Sequence, residues 1–278
     1  MLKDRLIWAI PLIVVACTIL LLNNVVIYIA VVAVSLISLY EIYSAFGYMN
    51  KKTFFMFIYF IPWLFFTPSL LLFWDFISQN MVLVQIGVYA YMLIGFLLVL
   101  LNHNTIKIND MLAIFAICTF ITFFLMFIVK IRQDIPHGKS TVWAVFVSAC
   151  LTDAFAYFTG KHFGKHKLAP LVSPNKTIEG SFGGILGSII SMLLYGFIVK
   201  LIIADVSVSY LNLAILGFIA SIISQIGDLT LSSIKRELNI KDYGKVIPGH
   251  GGLLDRIDSI LFVAPCIYLY TMFFPIFM

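Results

Sequence analysis

The sequence predicts an all-α, polytopic membrane protein with about nine transmembrane helices. Three observations carry this. Hydrophobic residues make up 62% of the 278-residue chain and charged residues only 11%. The mean hydropathy is +1.06. The apolar residues fall in long unbroken runs, whereas a membrane β-barrel needs short alternating segments. A soluble domain carries about 25% charged residues. Composition therefore excludes a disordered chain, a disulfide scaffold, a nucleic-acid binder and a cytosolic enzyme.

A helix needs about 20 apolar residues to cross the hydrocarbon core. Runs of that kind cover residues 6–22, 25–46, 54–74, 81–101, 111–131, 141–159, 182–201, 208–227 and 257–277. Only Asn23 and Asn24 divide the first two. With the N-terminus in the cytoplasm, 14 of the Lys and Arg residues fall on inner segments and 4 on outer ones. Basic residues mark cytoplasmic loops, so this orientation is expected, with the C-terminus outside. Lys130, Arg132 and Lys139 are the local exception. Val14-Val15-Ala16-Cys17 resembles a lipoprotein processing box, a match that arises readily in apolar sequence. Cys17, Cys118, Cys150 and Cys266 lie in apolar runs without CxxC spacing and read as small buried hydrophobes.

The chain divides at about residue 140. Residues 1–140 hold five spans without a chemical motif, and residues 141–278 hold the charge. Two stretches, 153–179 and 228–258, contain 16 of the 31 charged residues. Two spans separate them, so both belong on one face of the membrane. Each opens with an acid in or beside an apolar run, and ionisable groups at that depth are functional candidates.

In the first stretch, Asp153, Ala156, Tyr157 and Gly160 share a helical face. A basic loop, 161–167, follows. Ser173-Pro174-Asn175-Lys176-Thr177-Ile178-Glu179-Gly180 then leads into the seventh span. Ser173 or Asn175 is suited to cap that helix, and Glu179 suits its dipole. A cation such as Lys176 opposes the dipole unless both serve a phosphate. His162 and His166 lack the acid that a metal motif would place between them; a phosphate or lipid-headgroup contact suits them better.

In the second stretch, Asp228, Ser232 and Lys235 share a helical face, and Arg236, Lys241 and Lys245 add positive charge. Gly249-His250-Gly251-Gly252 would let backbone amides approach an anion. Asp255 and Asp258 follow on one face of the ninth span. The alternative is a set of Asp–Lys/Arg salt bridges tying helices together, which accounts equally well for either acid pair alone. The full set of Asp228, Asp255 and Asp258 beside five cations points instead to a metal ion and a polyphosphate.

The pattern from Ser232-x-x-Lys235-Arg236 through Lys241-Asp242-x-Gly244, Ile247-Pro248-x-His250-Gly251-Gly252 and Asp255-Arg256-x-Asp258 resembles the signature of the phosphatidate cytidylyltransferase family, or CDP-diacylglycerol synthases, of bacterial type. The segments Asp153-x-x-x-Tyr157-x-x-Gly160 and Ser173 to Gly180 are similar to that family too. The resemblance covers the C-terminal half. It implies transfer of CMP from CTP to phosphatidate, releasing pyrophosphate and giving CDP-diacylglycerol. It also implies dependence on Mg²⁺ with Asp228 and Asp255 as ligands, a K⁺ ion in keeping beside it, a homodimer in the cell membrane, and a site open to the cytoplasm.

On this reading Asp228 and Asp255 hold metal, with Asp258 a ligand or close behind one. Lys176, Lys235, Arg236, His250 and Arg256 are the candidate catalytic groups that neutralise or contact phosphates. Asp153, Ser173, Asn175, Thr177, Glu179, Ser232, Lys241, Gly251 and Gly252 are candidate substrate-binding residues. Two other classes fit less well: a CTP-dependent lipid-alcohol kinase, which would release CDP, and a transporter, whose charges would lie at mid-membrane.

Overall fold

A computed structural model describes residues 14, 17–48, 55–63, 79–203, 205–244 and 251–278. Seven helices among them are long and apolar enough to span a membrane. They are α1 (Asn24–Ala45), α2 (Met81–Leu101), α3 (Ile108–Asp134), α4 (Gly138–Phe163), α5 (Ile178–Ile202), α6 (Tyr210–Glu237) and α7 (Leu254–Phe273). The first expected span lies largely outside the described residues. Of the third, residues 55–63 are described and helical.

The all-α expectation needs a local correction. β1 (Lys167–Ala169) and β2 (Ser173–Thr177) form a two-stranded antiparallel ribbon between α4 and α5. The last expected spans also shift. α6 continues to Glu237, so Asp228 lies within the helix rather than at its end. α7 starts at Leu254 and stops at Phe273. The chain beyond turns back, and Met278 exchanges backbone hydrogen bonds with Ser207 at 2.8 and 2.9 Å.

Packing along α5 is inverted relative to a helix of a soluble protein. Along α5 the buried positions include Gly180, Gly184, Gly187, Ser188 and Ser191. Leu186, Ile190, Leu194, Phe197 and Leu201 are exposed on the opposite stripe. Large side chains thus face where lipid would be, and small ones let helices approach. Three buried hydroxyls bond within their own helices: Ser148 donates to Ala144 O at 2.7 Å, Ser191 to Gly187 O at 2.6 Å and Thr271 to Ile267 O at 2.7 Å. α7 packs against α3, α4 and α6.

The exceptional basic residues near position 132 have structural work. The Arg132 guanidinium donates to the carbonyls of Leu20 and Leu22, closing the C-terminal end of the helical turns before Asn23. Lys130 pairs with Asp134 at 2.5 Å.

The two charged stretches meet at one end of the bundle, at the β ribbon, the C-terminal part of α6 and the start of α7. Cysteines introduced at Lys167 and Lys241 are therefore expected to react with an impermeant thiol reagent from the same side of the membrane, and one at Asp205 from the other. Labelling of 167 and 241 from opposite sides would contradict this arrangement.

Candidate active site

Lys176 leaves the end of β2 and sets its ammonium 2.5 Å from Asp228 Oδ2 of α6. Asp228 Oδ1 accepts from Ser232 Oγ at 3.2 Å, one helical turn on. The Lys176 ammonium is buried and makes no well-directed hydrogen bond, so its contact with Asp228 is chiefly charge on charge.

A second pair lies deeper. Lys235 of α6 meets Asp255 of α7 at 2.7 Å, with side chains 10% and 4% exposed. Asp255 Oδ2 also accepts from the amides of Tyr243 at 2.9 Å and Gly252 at 3.0 Å. Asp255 therefore closes the loop that joins α6 to α7. The Lys235 ammonium stands 5.5 Å from the centre of the Tyr243 ring. Burial, with the Asp255 charge nearby, pushes the Tyr243 phenol above its ordinary range, so it remains a neutral donor, to Leu231 O at 2.9 Å.

Asp153 and Asp258 complete the acidic group. Asp153 Oδ2 accepts from Ser259 Oγ at 3.1 Å, and Asp258 Oδ1 accepts from the Ser259 amide at 2.8 Å. Both lie close enough to Asp228 to interact with its charge. Three helices thus converge their acids beside one partly exposed lysine.

Several expected roles change. Neither Ser173 nor Asn175 caps α5. They lie in β2, and Thr177 Oγ1 accepts from Gly180 N at 3.1 Å instead. Gly160 packs on that cap, since a Cβ there would fall 2.8 Å from Thr177 Oγ1. Glu179 braces the basic loop, accepting from Lys165 N at 3.0 Å and meeting His166 Nδ1 at 2.7 Å. Arg236 donates to Val172 O at 3.1 Å and Ile240 O at 3.2 Å, tying α6 to the ribbon. The Gly252 amide expected to meet phosphate is spent on Asp255. Tyr157 turns away, 63% exposed. Lys241 and Arg256 are exposed at the same end, and Gly251 takes a left-handed φ of 84°. His250 and Lys245 lie outside the described residues.

Sequence reasoning missed two residues. Tyr243 occupies a position with no side-chain requirement in the motif. Glu41 sits in an apolar run 212 residues away, yet its carboxylate accepts from Leu253 N at 2.8 Å and Leu254 N at 2.9 Å. A lone acid inside a membrane span is itself a signal.

Among the described residues, no three His, Cys, Asp or Glu side chains surround a common point. A Mg²⁺ shared with a nucleotide takes one or two carboxylates and fills its shell with phosphate oxygens and water. Asp228 and Asp255 each already hold a cation, a lysine ammonium, on an oxygen that such an ion would use. The two carboxylates are hard oxygen donors of the kind that such an ion takes.

A helical membrane protein with paired acids and ammonium groups at one end of its bundle is the class that fold and site define. A family model described as the cytidylyltransferase family matches residues 3–274. The chain belongs to that family. It is 34% identical over 206 residues to the phosphatidate cytidylyltransferase of Bacillus subtilis, covering 74% of each chain. It is 40% identical over 150 residues to that of Thermotoga maritima, covering 54% of this chain and 55% of the relative. To that of Staphylococcus saprophyticus it is 41% identical over 140 residues, about half of each.

Two substitutions separate architecture from chemistry. Thr177→Ala removes a helix cap and is expected to cost about 1 kcal/mol. Asp255→Asn leaves a nearly buried lysine uncompensated and is expected to cost about 3–5 kcal/mol. Thermal unfolding in detergent reads both, and a smaller effect for Asp255→Asn than for Thr177→Ala would contradict the structural role given to the deeper pair.

Proposed function

We propose that this protein is a phosphatidate cytidylyltransferase, joining CTP and phosphatidate into CDP-diacylglycerol and pyrophosphate at the cytoplasmic face of the cell membrane. The observation that carries the reading is the half-open Lys176–Asp228 pair, backed by Asp153 and Asp258, where both charged stretches meet. Family membership and the names of the relatives support the same reaction. The basic bias of the inner segments supports the cytoplasmic orientation. The homodimer expected from the resemblance belongs to the same proposal.

Phosphatidate is a phosphate monoester whose second pKa is about 6. Its oxygen is a nucleophile at neutral pH without a base. The barrier is electrostatic, since one anion attacks another. In this reading Lys176 and Lys235 leave Asp228 and Asp255 to meet phosphate oxygens, which frees a carboxylate oxygen of each acid. Asp228 and Asp255, with Asp258 a ligand or close behind one, would hold Mg²⁺, which when bound neutralises the triphosphate. A phosphatidate oxygen bonds to the α-phosphorus as the bond to the bridging oxygen breaks, and pyrophosphate carries away the electron pair. An acceptor phosphate that is already ionised needs no nucleophile from the enzyme, which supports direct displacement without a nucleotidyl-enzyme.

Purified enzyme supplied with labelled CTP, phosphatidate and Mg²⁺ is expected to give labelled CDP-diacylglycerol. Release of CDP with a phosphorylated lipid would instead identify a kinase. Asp228→Asn is expected to lower kcat by at least about 100-fold while the protein still folds. A lower melting temperature with unchanged Mg²⁺ dependence of the residual activity would refute the metal role.

Labelled pyrophosphate is expected to enter CTP only when lipid substrate or product is supplied. Robust exchange without lipid, or nucleotide label retained on denatured protein, would overturn direct displacement and put His250 at the centre of the chemistry.

A further inference from the structure

Glu41 is the buried acid that the chemistry above leaves without a task. It lies near the C-terminal end of α1 and has no exposed surface. Its carboxylate oxygens accept from the amides of Leu253 and Leu254, the residues that open α7. Those amides have no partner within their own helix, and Leu253 has no side chain able to cap. An acid from α1 supplies the cap that the α7 sequence lacks, at the positive end of the helix dipole.

The loop from α6 to α7 closes on the same carboxylate from both ends. A Cβ built at Gly244 would fall 2.6 Å from Glu41 Oε1, and one at Gly252 would fall 2.7 Å from Oε2. Only glycine lets the backbone pass so close to the acid. The turn of helix fixed in this way carries Asp255, Arg256 and Asp258. A serine at 253 would cap the helix without burying a charge. A distant buried acid does something more, since it ties the first turn of α7 to the N-terminal helices.

We propose that Glu41 is a positioning residue for cytidylyl transfer, holding the first turn of α7 so that Asp255 and Asp258 face Asp228 and Lys235. This rests on the activity proposed above, and the experiment has one arm that reads activity and one that does not.

Full-length wild type, Glu41→Gln and Glu41→Ala are compared in detergent. Amide hydrogen exchange across residues 251–258 is expected to quicken about 10-fold or more in both variants, with residues 214–224 of α6 unchanged. The kcat per folded molecule is expected to fall about 10- to 100-fold, with the loss mainly on kcat rather than on KM for CTP. Glu41→Gln keeps one acceptor and is expected to retain more activity than Glu41→Ala. If Glu41→Ala does not fold, Glu41→Gln alone carries both readouts. Unchanged exchange would show that Glu41 does not hold the turn. Faster exchange with unchanged kcat per folded molecule would reduce Glu41 to a structural cap. A wild type that makes no CDP-diacylglycerol would sink the activity reading and this role with it, while the exchange arm still reports whether the turn is held.

Discussion

The ion pairs Lys176–Asp228 and Lys235–Asp255 join the β ribbon, α6 and α7 across the charged end of an otherwise apolar bundle. Charges removed from water persist only when paired and hydrogen-bonded, and removing one partner costs more than the pair contributes. The two pairs are not equivalent. Lys235 and Asp255 are almost covered, and the Asp255 carboxylate also accepts from loop amides. Lys176 and Asp228 are about a quarter exposed. The deep pair shapes the loop between α6 and α7, and the outer pair faces the side from which an ionic ligand could enter. Asp153 and Asp258 place two more carboxyl groups beside the outer pair.

Bringing those groups together depends on packing far from them. Small residues on α5 let it approach α4 closely, which sets β2 and Lys176 at the correct height. Thr177 ends the strand and starts the helix in one residue, while Glu179 folds the basic loop back over it. Arg236 bonds the ribbon to α6. Glu41 reaches from α1 to the opening of α7, so the N-terminal half, which carries no motif, still bears on the geometry of the acids. Membership of the cytidylyltransferase family covers that half as well as the charged one.

Hydropathy made most of the helices legible, because a span long enough for a bilayer has a strong and uniform signal. It lost the ends. α6 runs ten residues past its apolar stretch, through Asp228, Ser232 and Lys235. Their spacing at one helical face, rather than hydropathy, carried that information. The β ribbon was invisible, since two short strands with Pro174 between polar residues have no periodicity to read. Ser173, Asn175 and Thr177 are all able to cap, and chain direction at the end of β2 selects Thr177. The charged cluster was legible because acids at span depth need compensation. The same rule applied to Glu41, but an isolated acid in an apolar run gives no hint of the amides it meets.

On the proposed mechanism Lys176, which pairs with Asp228 in this structure, exchanges that carboxylate for phosphate during the reaction. An experimentally determined structure of the enzyme with CTP and Mg²⁺ tests this most directly, through the distance between Lys176 Nζ and the Asp228 carboxylate. The account predicts that the ammonium has moved beyond ion-pairing distance and lies against a phosphate oxygen of the nucleotide. An intact Lys176–Asp228 pair, with the triphosphate bound away from both residues, would contradict it.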